Sequence, residues 1–115
     1  MILPNAESAQ IPEDKILGYL LSSTHRSGKA KAAFFVNFGF WSQEWQKLAA
    51  ALRRHARENP LAAYEATAFG QRYVADGTLV APDGTALNVR SVWFINSDGA
   101  APRFVTAHPL KRKTA

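Results

Sequence analysis

The feature that most limits the fold of this chain is a change of periodicity at Asn59-Pro60. Before it, apolar residues recur at helical spacing; after it, they alternate with polar residues as in strands. Two short turn signals, Pro82-Asp83-Gly84 and Ser97-Asp98-Gly99, interrupt the second half. Because such short links join antiparallel but not parallel strands, the sequence predicts helices followed by an antiparallel meander, an α+β fold.

Two or three helices are predicted in the first half. The first follows Ile11-Pro12-Glu13-Asp14, where a proline and two acids suit a helix start. The second begins after Ser27 or Gly28, and the third begins at the N-cap Ser42. In order, the predicted ends are Leu21, Asn37 and Asn59.

For two of these helices, the sequence predicts which side chains are buried. The second is expected to bury the stripe formed by Ala30, Ala33, Phe34 and Phe38. In the third, Leu48 and Leu52 lie on the apolar face. His55 stands among arginines and is predicted to be solvated.

Four strands are predicted, and the third has two chemically different faces. Trp93 and Ile95 belong to one face, while Arg90 and Phe94 belong to the other. Because large apolar side chains must be covered, we expect the helices on the Trp93 face and an open face around Arg90. An arginine beside an aromatic ring is suited to RNA, although ordinary solvated faces look the same. The predicted ranges are 64–68, 72–80, 86–95 and 103–108.

The composition limits the classes of function that this chain can have. The chain of 115 residues carries 14 Lys and Arg against 9 Asp and Glu, a net charge of +5 that favours polyanionic partners. We predict one domain over residues 1–110 and a disordered basic tail at 111–115, which supplies three of those charges. The absence of cysteine excludes disulfides, thiolate nucleophiles and sulfur-ligated metals. Without a signal-peptide or membrane-span pattern, the expected location is cytoplasmic, with no membrane partner.

Residues 25–31 are the strongest candidate for ligand binding. Basic side chains surround Gly28 immediately before an apolar run, so a helix start would offer free amides together with positive charge. We therefore predict that Gly28, Lys29 and Lys31 bind an anion such as an RNA phosphate. The alternative is that both lysines form the solvent side of a short helix. The segment is not a P-loop, because the upstream glycine and the preceding strand are missing.

Several residue strings support a resemblance that extends over nearly the whole chain. They are Leu3-Pro4-Asn5-Ala6, Tyr19-Leu20-Leu21, His25-x-x-Gly28-x-x-Lys31-Ala32, Val89-Arg90-Ser91-Val92-Trp93 and the run from Pro102 to Ala107. Together they resemble a small bacterial domain family of unknown function. The resemblance implies short stand-alone proteins and domains in toxin-like neighbourhoods, and it implies no particular chemistry.

A second resemblance concerns arrangement. Helices before a four-stranded antiparallel sheet, an early histidine and lysine, and a last strand ending Thr106-Ala107-His108-Pro109 are similar to the barnase, EndoU, colicin and RelE group of ribonucleases. Several toxin domains of that group have tyrosine where this chain has His108. What the resemblance implies is metal-free RNA cleavage through attack of the 2′-hydroxyl.

That reaction needs a base, an acid and cations around the phosphate. His25, Arg90 and His108 are the predicted catalytic residues, and Thr106 is predicted to bind phosphate with the lysines. Each has a structural alternative: a helix cap for His25, an ion pair with Asp76 or Glu65 for Arg90, and an ordinary strand position for His108 and Thr106. No metal-ligand spacing or dinucleotide motif is present, so no cofactor or metal is expected.

Two functions remain compatible with the sequence. The first is an RNA-directed domain, specifically a toxin-type, metal-independent endoribonuclease. The alternative is a non-catalytic interaction module that binds a neighbouring small protein. It is motivated by the aromatic run from Phe34 to Trp41.

Overall fold

A computed structural model describes residues 1–21, 29–99 and 101–110, and its helices precede its sheet. The predicted basic tail at 111–115 lies outside the described residues. The helical elements are a 3₁₀ turn (Ala6–Ser8), α1 (Glu13–Lys15) with a π-helical turn (Ile16–Leu20), α2 (Lys29–Asn37), a 3₁₀ turn (Ser42–Glu44) and α3 (Trp45–Glu58). The strands are β1 (Leu61–Thr67), β2 (Gly70–Val80), β3 (Ala86–Asn96) and β4 (Arg103–Pro109).

The sheet is the predicted four-stranded antiparallel meander, in the order β1-β2-β3-β4. The prediction of α+β architecture is therefore confirmed. The turn between β2 and β3 uses the expected residues: Asp83 Oδ1 accepts a hydrogen bond from the Thr85 amide at 2.9 Å, and Gly84 has φ 88°. The first strand begins at Leu61, earlier than predicted.

One face of the sheet, the inner face, packs against the helices and builds the core. Trp93 on β3 is fully buried and makes an edge-to-face contact with Phe104, with ring centroids 5.3 Å apart. Leu48 and Leu52 of α3 belong to the same buried cluster. Strand alternation then places Arg90 and Phe94 on the opposite face, as predicted. No helix in the described part of the chain is both long and apolar enough to cross a bilayer.

The predicted inward stripe of α2 is wrong in part. Phe35 and Ala32 are buried and Ala33 is exposed, whereas Phe34 and Phe38 are half-buried. The side chain of Ala30 lies outside the described residues. Because α2 itself carries apolar residues on most of its sides, its composition does not determine which face is buried. Packing beside β4 determines the buried face.

The predicted solvated position of His55 is also wrong. This side chain is 1 % exposed and lies between α3 and the inner face. Its Nδ1 is 2.9 Å from Ser91 Oγ, and its Nε2 is 2.8 Å from the Val89 carbonyl oxygen. A neutral ring carrying its proton on Nε2 fits this network, since Ser91 also accepts from Trp93 Nε1 at 2.9 Å. The sequence signal for burial of His55 was its spacing from Leu48 and Leu52, which places residue 55 on the buried face of α3.

The burial of His55 predicts that the domain loses stability in mild acid. Burial lowers the pKa of His55 from its ordinary 6.5, although hydrogen bonds to the Val89 and Gly77 carbonyls oppose this shift. The unfolded chain therefore binds a proton that the folded domain does not. Stabilisation is complete above about pH 6.5 and declines below it, by at most about 1.4 kcal/mol per pH unit.

Urea unfolding at several pH values between 5 and 8 measures this effect. The His55→Gln variant keeps a polar side chain without the titration, so its stability should depend less on pH than that of the natural protein. Equal pH dependence in both proteins would contradict the assignment.

Candidate functional site

The sheet face opposite the helices, the outer face, carries three cross-strand rows that the register defines. Each row takes one residue from β2, one from β3 and one from β4. Side chains in one row are neighbours, and diagonal positions in adjacent rows are about 7–8 Å apart. The rows are Asp76–Arg90–His108, Val74–Val92–Thr106 and Arg72–Phe94–Arg103.

A polar cluster forms at the β4 edge of this face, where the helical half of the chain reaches the sheet. Tyr19 from the π-helical turn and Lys31 from the first turn of α2 meet Thr106 on β4. We call these three residues the Lys31 cluster. Tyr19 Oη lies 2.9 Å from Thr106 Oγ1, and Lys31 Nζ donates to Thr106 Oγ1 at 3.1 Å. Lys31 Nζ also donates to Tyr19 Oη and lies 4.8 Å from the tyrosine ring centroid.

The cluster changes the acidity of the tyrosine. Burial is the largest single influence on Tyr19 and opposes ionisation. Hydrogen bonds with Lys31 and Thr106, together with the charges of Lys31 and Lys15, outweigh burial and lower the pKa of Tyr19 from its ordinary 10.0. An ammonium group and a phenol of raised acidity therefore lie together on the outer face.

Arg90 forms the ion pair that was its structural alternative, with Asp76 as the partner. Arg90 Nε and Nη2 donate to the two carboxylate oxygens, each at 2.8 Å. This bond lowers the pKa of Asp76 and raises that of Arg90. Two of the five guanidinium N–H groups are used in this way, which leaves the others for a ligand.

His108 lies directly opposite Arg90 on β4 and is half-buried. Its Nδ1 is 3.2 Å from the carbonyl oxygen of Pro109. Thr106 is diagonal to Arg90 in the register, at the distance of about 7–8 Å given above. Arg90, His108, Thr106 and Lys31 therefore come from three elements to one side of the sheet.

The remaining predicted residues lie partly outside the described chain. His25 and Gly28 are not among the described residues, and Lys29 is described only as the first residue of α2. Tyr19 was missed, because nothing in its local pattern indicates a partner on the last strand. Its one signal was membership of the string Tyr19-Leu20-Leu21 that contributed to the family resemblance. Among residues 1–21, 29–99 and 101–110, no group of three His, Asp or Glu side chains could hold a metal ion.

The fold and these contacts define a small α+β domain with a cationic, hydroxyl-rich cluster at one edge of its outer sheet face, where the central residues Val74 and Val92 are buried. The chain belongs to the family described as a domain of unknown function (DUF6883), whose model matches residues 2–111. This match confirms the resemblance to a domain family of unknown function. No curated protein matches the chain in sequence.

A solved structure shares the fold. It is titled as a contact-dependent growth inhibition toxin–immunity protein complex from Klebsiella pneumoniae 342. The matched chain is 18% identical with a TM-score of 0.71, and the match covers 87% of the present chain and 98% of that one. At this identity the similarity establishes a common fold.

Proposed function

We propose that this domain is a toxin-type endoribonuclease that cleaves RNA without a metal ion. The observation that carries the proposal is the Lys31 cluster, which places an ammonium group, a phenol and a hydroxyl on the same sheet face as Arg90 and His108. The fold shared with a chain of a toxin–immunity complex supports the toxin class. The net charge of +5 favours a polyanionic substrate.

The proposed reaction is attack of a ribose 2′-oxygen on the adjacent phosphorus. The bond from phosphorus to the 5′-oxygen breaks, which leaves a 2′,3′-cyclic phosphate and a 5′-hydroxyl. One group takes the proton of the 2′-hydroxyl, and another gives a proton to the 5′-oxygen. We assign the first transfer, as the base, to His108 and the second, as the acid, to Tyr19. His25, midway along the chain between Tyr19 and Lys31, stays a predicted alternative.

The cations of the same face would stabilise the negative charge of the reacting phosphate. As the phosphorus gains its fifth bond, negative charge grows on the non-bridging oxygens. Lys31 and the unused N–H groups of Arg90 would bind these oxygens, and Thr106 would add a hydroxyl donor. The Asp76 carboxylate holds Arg90 in place and offsets its positive charge, so Lys31 would contribute the larger share of charge stabilisation.

Cleavage of total RNA by the purified protein in excess chelator tests the proposal. We expect products ending in a 2′,3′-cyclic phosphate, identified by mass spectrometry of a short substrate. The absence of cleavage, or cleavage that appears only after a divalent metal is added, would overturn it.

A non-catalytic role in binding a partner protein is the second candidate. It is favoured by the exposed side chains Val36 and Trp41 on and after α2. Their neighbours Phe35 and Phe40 are buried, so the aromatic run serves the core only in part. An inactive protein that co-purifies with a small partner, and loses it in Trp41→Ala, would select this function. A clean monomer with no such partner counts against it.

A further inference from the structure

A groove at one end of the outer face lies beyond the Lys31 cluster. It has a volume of about 350 Å³ and is lined by Lys15, Phe69, Phe94, Arg103, Phe104 and Val105. Phe69 stands in the turn between β1 and β2 and is 80 % exposed, although it is a large aromatic side chain. Val105 in the same groove is also exposed, and Lys15 and Arg103 rim this apolar patch, an arrangement typical of ligand-binding grooves.

Cations surround the aromatic rings of this groove. Arg103 lies over Phe94, with its Cζ 5.8 Å from the ring centroid, and its Nη2 donates to Asn96 Oδ1 at 3.0 Å. Arg72 lies opposite Phe94 in the sheet register. Within the described part of the chain, Lys15, Arg72 and Arg103 form no ion pair. On β1, Glu65 lies opposite Arg72 in the register.

The groove and the Lys31 cluster belong to one continuous surface. Lys15 lines the groove, and its charge also contributes to the lowered pKa of Tyr19. The row that contains Thr106 lies between the row of Arg90 and the row of Phe94. Phe94 lies four positions after Arg90 on β3, about 13 Å away at the usual rise of a strand. A short stretch of single strand spans that distance.

We propose that this groove stacks a base of single-stranded RNA next to the bond cleaved at the Lys31 cluster, an inference that rests on the proposed function. Phe69 supplies the stacking surface, and Phe94 with Arg103 forms the floor. Lys15 and Arg72 contact the neighbouring phosphates. Every base has an aromatic face, so such a site accepts many sequences but requires an unpaired base. A protein partner is less favoured, because the site combines stacking rings with three cations that have no ion-pair partner among the described residues.

Binding of a fluorescent 2′-O-methyl RNA oligonucleotide tests the subsite separately from catalysis. This probe has no free 2′-hydroxyl, so it binds without being cleaved. We expect Phe69→Ala to weaken binding about tenfold to a hundredfold, the usual effect of losing one stacked base. The matched control is Tyr64→Ala, which removes a 61 % exposed aromatic ring from the opposite, inner face. It should bind as the natural protein does.

The outcomes separate the subsite from the reaction. If the natural protein binds the probe and Phe69→Ala weakens binding, the subsite stands whether or not RNA is cleaved. If Phe69→Ala and Arg103→Gln both bind normally, the subsite is wrong even in an active ribonuclease. The subsite is also wrong if the natural protein does not bind the probe. It is likewise wrong if Phe69→Ala weakens binding of an acidic protein but leaves RNA binding unchanged. Unchanged thermal melting would show that the variants remain folded.

Discussion

Replacing Lys31 by methionine is expected to reduce RNA cleavage by about 10²- to 10³-fold in kcat, the usual cost of losing one preorganised donor to a reacting oxyanion. Methionine retains an unbranched side chain of similar shape, with sulfur in place of Cδ, and lacks the ammonium group. The variant would leave the phosphate charge without its main cation, and Tyr19 would lose its hydrogen bond from Lys31.

The pH dependence gives this prediction a second readout. Lys31 and Thr106 outweigh burial and lower the pKa of Tyr19, so removing Lys31 should raise that pKa. If Tyr19 transfers a proton in the reaction, the alkaline limb of the rate profile should move to higher pH. Single-turnover cleavage of a short RNA over a range of pH measures both the rate and the limb.

Lys47→Met is the matched control for Lys31→Met. Lys47 is an exposed lysine of α3 whose partner is Glu44, one turn away on the surface. Its loss lowers the net charge by the same amount but leaves the outer face unchanged. Equal losses of activity in the two variants would show that Lys31 acts only through the overall charge.

Trp93→Ala is expected to destabilise the domain by about 3–5 kcal/mol, the usual cost of truncating a buried tryptophan. Trp93 is fully buried, contacts Phe104 edge to face and donates its indole N–H to Ser91. The variant leaves a cavity between the sheet and α3, and it removes a donor from the buried network of His55. Since the free energy of unfolding of a small domain is only about 5–15 kcal/mol, this single change removes a large share of the stability.

Phe69→Ala is the matched control for the core variant. It also removes an aromatic ring, but from a position that is 80 % exposed, so its effect should remain within about 0.5 kcal/mol. Urea unfolding of both variants and the natural protein measures the difference. A loss for Trp93→Ala no larger than for Phe69→Ala would contradict the assignment of Trp93 to the core.

The fold was predictable because its signals are local. A helix or strand repeats every two to four residues, so the change of spacing at Asn59-Pro60 separated the helical half from the sheet. The turns at Pro82-Asp83-Gly84 and Ser97-Asp98-Gly99 then required antiparallel neighbours. The same alternation placed Trp93 inside and Arg90 outside, and the full burial of Trp93 and the partly exposed side chain of Arg90 confirm this.

The two wrong predictions of buried residues concern tertiary contacts, which local sequence pattern does not determine. His55 was assigned to solvent because arginines flank it, yet its ring nitrogens find partners on β3 and the side chain is buried. The buried face of α2 was misassigned because that helix is apolar on most sides. In both cases the deciding contacts are made with another element.

The sequence by itself determined the order of elements, the four-stranded meander, the positive charge and the outward direction of Arg90. These follow from residue spacing and composition. Only the tertiary structure decided that Tyr19, Lys31 and Thr106 meet, that Arg90 pairs with Asp76, and that Phe69 and Arg103 share a groove. The physical reason is distance along the chain: Tyr19 and Thr106 are 87 residues apart, far beyond any local periodicity.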